Sequence, residues 1–200
     1  MPMTGEKLSV DQLSQLLFNL NLVEQRQLER VRSALGTKEP TIEDFRNQLL
    51  RENLVTNFQF DRLMEGRRTG FFYGPYKALY IVGAGTFARV FRAVHTGTGE
   101  VRAVKVLRRR FTEDLTATDQ FLREAAMVKP LRHPNIVPVY DVERGREATY
   151  MVMEFVEGRN LRDFLKVRGT FSVEEALRFT LDVAKGLDYA FQRGVGHRDV

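Results

Sequence analysis

The 200-residue sequence contains no cysteine. It can build neither a disulfide framework nor a thiolate metal site, and a reducing compartment suits such a chain. Its first residues, "MPMTGEKLSV", lack the continuous apolar segment of a secretory leader. No run of about 18 apolar residues occurs, so no stretch reads as a membrane span, and a cytoplasmic protein with no membrane partner is expected. An excess of one charge is missing from the first third, where residues 1–70 hold 10 Lys+Arg and 10 Asp+Glu. The net charge of +5 falls in residues 71–200, with 21 basic and 16 acidic side chains. The basic run Arg108–Arg110 reads as a solvated strand end, and no nucleic-acid partner is expected. No internal repeat and no low-complexity tract is visible.

What the sequence does have is 43 % hydrophobic and 28 % charged residues, enough apolar mass for a core. The length allows one domain, or a small one joined to most of another. Residues 1–66 read as short helices forming an interaction or regulatory module. Leu13, Leu16, Leu17 and Leu20 make an amphipathic stripe, and Leu28, Val31 and Leu35 repeat it before Gly36. "TIED" at Thr41 and "TNFQ" at Thr56 are capping boxes opening two more helices, the last closed by Gly66. Residues 67–75, with Gly70, Gly74 and Pro75, read as a linker. From residue 76 the pattern turns to strands: "YKALYIV", "ARVFRAV" and "VRAVKVL", with "HTGTGE" as a hairpin turn. A helix over Thr116–Lys129, the strands "IVPVYDV" and "ATYMVMEF", and two further helices follow. The last helix aligns Leu177, Leu181, Ala184, Leu187 and Phe191.

Three features carry chemistry. "GAGTFARV" places Gly83 and Gly85 directly after a strand, where backbone N–H groups can approach phosphate oxygens with no Cβ in the way. The same Gly-x-Gly-x-x-Ala also fits a dinucleotide-binding turn. That reading wants an acid about 20 residues on for the ribose, and Lys105 stands there. Lys105 alternates with Val101, Ala103 and Leu107 on one strand face, and an ammonium among apolar neighbours needs an anion. Glu124 shares a helical stripe with Phe121, Ala125 and Val128, so it is expected to pair with Lys105 and hold it toward phosphate.

Taken together, the glycine loop, "AVK" at Ala103–Lys105, Glu124, "HPNIV" at His133–Val137, "MVMEFVEG" at Met151–Gly158 and "HRD" at His197–Asp199 resemble the protein kinases. The loop and "HPNIVPVYDV" look like the serine/threonine kinases of bacteria. The resemblance covers residues 76–200 and implies an α+β fold. After the helical module comes a small lobe (76–156) of antiparallel sheet plus one helix, then the first helices of an incomplete large lobe (157–200). It implies ATP and Mg²⁺ as cofactors and a protein substrate with Ser or Thr hydroxyls, with a regulatory partner for the 1–66 module. Gly83, Ala84, Gly85, Thr86, Phe87 and Ala88 would cover the phosphates, Ala88 replacing the usual third glycine. Lys105 would contact the α- and β-phosphates and pair with Glu124. Val90 and Ala103 would wall the adenine, Met153 would limit the pocket depth, and the Glu154 carbonyl and Val156 amide would bond the adenine edge. Asn160 stands where some kinases place an acid for the ribose. Asp199 would orient the substrate hydroxyl and Arg198 would meet an activation-loop phosphate. Gly196 replaces the apolar residue that commonly precedes the histidine.

The sequence ends one residue after Asp199, whereas in the family the metal ligands and activation segment follow. No metal ligand is therefore assigned in this stretch, and the chain as written is expected to bind nucleotide weakly and to have negligible activity. The alternatives are a non-catalytic kinase-like scaffold and, disfavoured by Lys105, a dinucleotide enzyme.

Overall fold

The computed structural model describes residues 8–36, 39–145 and 148–196. It divides into two compact units. The first takes residues up to Phe72 together with Lys77–Tyr80, and the second takes Tyr73–Tyr76 and the residues from Ile81 on. No helix among the described residues is long and apolar enough to cross a membrane.

The first unit holds four helices: α1 (Val10–Asn19), α2 (Gln25–Leu35), α3 (Ile42–Arg51) and α4 (Asn57–Met64). Each starts where a side chain can satisfy orphan N–H groups. Ser9, Glu24, Thr41 and Thr56 are the caps, closed by Gln12, Gln27, Asp44 and Gln59. The core joins Leu13, Leu17, Val31, Phe45, Leu49 and Leu63, none of them exposed. Residues 67–75, read from sequence as a linker, contribute Phe71 to this core and Phe72–Tyr73 to a short strand β1.

An internal repeat is present after all. The pair α1–α2 recurs as α3–α4 32 residues later: the cap Ser9 as Thr41, buried Leu13 as Phe45, Leu17 as Leu49, Leu28 as Phe60 and Val31 as Leu63. Both turns read Asn-Leu-Val, and both asparagines, Asn21 and Asn53, sit at φ 54°. Both turns also bond in the same way, Leu22 N–H to the Leu17 carbonyl and Leu54 N–H to that of Leu49. Repetition escapes the sequence because burial and capping class recur more faithfully than residue identity.

The second unit is built on an antiparallel sheet that shares strand β2 (Tyr76–Ala84) with the first. The other strands are β3 (Ala88–His95), β4 (Val101–Leu107), β5 (Val139–Arg144) and β6 (Thr149–Glu154), and the order is β1-β2-β3-β4-β6-β5. The hairpin turn between β3 and β4 forms as expected: His95 N–H donates to the Glu100 carbonyl, and the His95 Nδ1 accepts from the Gly97 and Thr98 amides. Helix α5 (Leu115–Val128) lies on one sheet face through Phe121 and Ala125. Helices α6 (Leu161–Arg168) and α7 (Val173–Phe191) follow. The α7 stripe forms but stands open to solvent: Leu177, Leu181 and Phe191 are exposed, and only Gly186 is buried. A Cβ at Gly186 would lie 3.0 Å from the Asn135 carbonyl oxygen, so a glycine lets the helix approach the "HPNIV" turn. Tyr189 stacks on His133, ring centroids 5.0 Å apart, which fixes the same contact.

Two capping residues of α4 also serve β2. Gln59 Oε1 accepts from Thr56 N–H at 3.0 Å while its Nε2 donates to the Ala78 carbonyl at 2.7 Å. Thr56 Oγ1 accepts from Gln59 N–H and donates to the Leu79 carbonyl at 2.6 Å. Lys77 Nζ donates to the Leu22 carbonyl at 2.7 Å, and its burial pushes the ammonium pKa below the ordinary lysine value. Gln59 is fully buried. Replacing it (Gln59→Leu) leaves the Ala78 carbonyl without its donor, and we expect urea unfolding to show a loss of about 1–3 kcal/mol.

Candidate nucleotide site

Strand register brings the expected residues into rows. Val90 lies opposite Lys105, which lies opposite Met151, and Ala103 lies opposite Met153. Directly paired residues share a face of the sheet, so Val90, Ala103, Lys105 and Met153 line one surface. This is the surface that α5 partly covers, since Ala88, Leu107, Met151 and Val139 form one core cluster with Phe121 and Ala125.

The glycine turn links β2 to β3 at one edge of this surface. Gly85 N–H donates to the Ala88 carbonyl, Ala88 is buried, and Ala84, Gly85, Thr86 and Phe87 are exposed. A Cβ on Gly83 would meet nothing within 4 Å, so the space beside its backbone is open. The turn is held from below: Phe87 packs on Phe111 at 5.0 Å between centroids, and Arg110 donates to the Thr86 carbonyl at 2.8 Å. The basic run at Arg108–Arg110 is thus more than a solvated strand end, because it leads into a 3₁₀ turn (Arg109–Phe111) from which Arg110 clasps the loop. Sequence reading missed Arg110 and Phe111, and only their position just after the Lys105 strand could have marked them.

Lys105 is half-buried, with its ammonium 5.8 Å from the centre of the Phe121 ring. Among the described residues it forms no ion pair. Glu124 is exposed on α5 and accepts from Gln120 Nε2 at 3.2 Å. The expected Lys105–Glu124 pair is therefore not formed. The buried stripe of α5 is Thr118, Phe121 and Ala125, which turns Glu124 to its rim. Ion pairs tether the helix on the side of β5: Lys129 to Asp141 at 2.9 Å and Arg144 to Asp119 at 3.9 Å. The hydrogen bond from Lys129 holds the Asp141 carboxyl below its ordinary pKa. The tether's contribution is thus present at neutral pH and lost as pH falls through the folded-state value.

Glu154 N–H donates to the Pro138 carbonyl, and Val156 is 62 % exposed. Asn160 caps α6, its side chain accepting from Asp163 N–H at 2.8 Å. His197, Arg198 and Asp199 lie outside the described residues. What the structure does assemble is a half-buried cation without an anion, beside an open glycine turn and an apolar sheet face. A phosphate-bearing ligand with a flat apolar base fits that set.

Residues 76–200 match the model of the protein kinase domain. The chain belongs to the protein kinase family. It is 39 % identical over 127 residues to CBL-interacting protein kinase 17 of Oryza sativa subsp. japonica, covering 64 % of this chain and 28 % of that protein. A probable serine/threonine-protein kinase of Clostridium acetobutylicum is 35 % identical over 125 residues, 62 % of this chain and 19 % of that one. Among solved structures, the Mycobacterium tuberculosis PknI kinase domain matches with TM-score 0.56 at 30 % identity, over 66 % of this chain and 54 % of that chain. Rad53 in complex with AMP-PNP matches with TM-score 0.57 at 31 % identity, over 72 % and 37 %. The chain thus spans less than a third of the length of the two kinases named first. The α+β architecture, with curled antiparallel sheet and one covering helix, is that of a kinase small lobe followed by the start of a large lobe.

Ring packing under the glycine turn can be measured directly. A double-mutant cycle on Phe87→Ala and Phe111→Ala should return a coupling of about 0.5 kcal/mol in urea unfolding. The low end of the aromatic range is expected because Phe87 is 61 % exposed.

Proposed function

We propose that the protein is a serine/threonine protein kinase acting in the cytoplasm, where ATP is available. The observation that carries this is the Lys105 ammonium, unpaired among the described residues, beside the glycine turn, in a chain similar to a probable serine/threonine-protein kinase. ATP supplies the phosphoryl group. The backbone from Gly83 to Ala88 covers its phosphates, and Phe87 shields the loop tip. Lys105 meets the α- and β-phosphates. Val90, Ala103 and Met153 bound the base, and the Glu154 carbonyl and Val156 amide orient its edge. Asp199 receives or orients the proton of the substrate hydroxyl. Glu124 acts only after α5 turns it inward to hold Lys105, so it is a positioning residue.

Mg²⁺ belongs to this reading through the family. Among the described residues no group of three or more His, Asp or Glu gathers to hold a metal. On the family's pattern, in which the metal ligands follow the His-Arg-Asp motif, a polypeptide limited to residues 1–200 is proposed to bind ATP weakly and to transfer nothing. The four-helix unit is proposed to receive a regulatory partner. One observation favours a second reading, a non-catalytic kinase-like scaffold: Glu124 and Lys105 stand apart.

Fluorescent-nucleotide binding tests the site on this polypeptide. Lys105→Met should weaken affinity about tenfold or more, the loss of one charge-assisted contact; unchanged affinity would remove Lys105 from the site. Phosphate transfer from labelled ATP with Mg²⁺ separates the other claims. A chain carrying the complete kinase domain should label Ser or Thr, whereas no labelling by it would leave the scaffold reading standing. Labelling by residues 1–200 themselves would sink the claim that this stretch is inactive.

A further inference from the structure

The repeated helix pairs differ at one position with a structural consequence. In the second pair Arg46 projects from α3 across α4. Its Nη2 donates to Asn57 Oδ1 at 3.0 Å and reaches Asp61 Oδ1 at 3.3 Å, and the guanidinium lies 5.5 Å from the Phe60 ring centre. The chain's own cation thus bridges those two helices.

The counterpart of Arg46 in the first pair is Ser14. Its hydroxyl reaches only the Val10 carbonyl, at 2.8 Å. A cleft of about 250 Å³ remains between α1 and α2. Ser14, Gln25, Leu28 and Glu29 line it, and these are the positions that Arg46, Asn57, Phe60 and Asp61 occupy 32 residues on. The two groups that would receive a guanidinium are both there, an amide oxygen on Gln25 and a carboxylate on Glu29. Among the described residues their side chains are joined only to each other, Gln25 Nε2 donating to Glu29 Oε1 at 3.2 Å. Arg32, also in the wall, is paired with Asp11, and among the described residues Glu29 forms no ion pair. Phe18, 43 % exposed, adds an aromatic ring to the wall.

We propose that this cleft docks an arginine side chain of a partner protein. The second repeat shows the same helix pair holding a guanidinium with an amide oxygen and a carboxylate at the same positions, so the ligand class is read from the molecule itself; Leu28 stands where Phe60 supplies a ring, and Phe18 is the aromatic group of the first pair. The cleft is smaller than the roughly 300–1,000 Å³ of a small-molecule pocket, which suits one side chain. A planar fork matches the Glu29 carboxylate and stacks on Phe18 better than an ammonium does. The proposal gives a chemistry to the regulatory partner of the helical unit and stands apart from phosphoryl transfer, since it is tested with no nucleotide present.

The test is an amide-shift titration of the ¹⁵N-labelled 200-residue chain with three probes: acetyl-Gly-Arg-Gly-amide, its citrulline analogue and free L-arginine. The arginine peptide should shift the Ser14, Gln25 and Glu29 amides to saturation. Citrulline, isosteric but neutral, should bind about tenfold more weakly. Free arginine should also be weaker, since its own carboxylate faces Glu29. Ser14→Arg should fill the cleft as Arg46 fills its counterpart and abolish the shifts. Glu29→Gln, at an exposed position, should weaken the peptide about tenfold with other amides unmoved, and carries the comparison if the Ser14 variant does not fold. Absence of cleft shifts with the arginine peptide, equal binding of citrulline, or equal binding of free arginine would each overturn the proposal.

Discussion

Two carbonyls of one strand, at Ala78 and Leu79, are held by side chains of a helix, and the path of the chain into the glycine turn begins from that constraint. The residues involved close a capping box and serve the strand at the same time. This double duty sets which residue types can stand there. A glutamate at position 59 could close the box but could not donate to a carbonyl, whereas glutamine has an oxygen for one task and an N–H for the other. Threonine at 56 likewise accepts and donates through one hydroxyl. The equivalent box on α2 pairs Glu24 with Gln27, and Glu24 has no proton to give. The two repeats therefore share a cap but not its second use.

Local signals in the sequence were legible where a residue type has one dominant physical use. The caps at Thr41 and Thr56, the glycine stops after α2 and α4, and the hairpin at His95–Glu100 each rest on neighbours within a few residues, and each forms. The strand of Lys105 and its alternation with Ala103 and Leu107 were legible too, whereas its row with Val90 and Met151 depends on strand pairing, which alternation does not give. Glu124 shows the limit of periodicity. A stripe at i, i+3, i+4 and i+7 names four positions, but the rotation of the helix decides which edge of the stripe faces inward. Here Phe121 and Ala125 settle that rotation against the sheet, and tethers from Lys129 and Asp119 reach across to β5. Such long-range pairs are invisible to a local pattern. So were Arg110 and Phe111 beneath the glycine turn, since a run of arginines carries no record of what it clasps.

The unpaired state of Lys105 bears on the family's chemistry. A cation near the face of Phe121 gains about 0.5–1 kcal/mol, or somewhat more when desolvated. A half-buried ammonium gains more from an anion, whether carboxylate or phosphate. The arrangement therefore leaves the half-buried Lys105 ammonium beside an aromatic ring and with no carboxylate partner among the described residues. Exposed tethers such as Lys129–Asp141 are worth little each, so the placement of α5 rests mainly on Phe121 and Ala125.

Repetition supplies a comparison that one helix pair could not. Two copies of a unit with the same turn and the same buried positions differ in what bridges their helices. Arg46 closes one from within, at the cost of ordering a long side chain whose desolvated guanidinium must find acceptors. Asn57, Asp61 and the Phe60 ring meet part of that cost, while the guanidinium Nε stays buried with no acceptor among the described residues. The first copy keeps an amide, a carboxylate and an apolar floor at the same places but offers Ser14 where the cation would start. Acceptors arranged for a guanidinium, with none supplied by the chain, make the first pair the open member of the two.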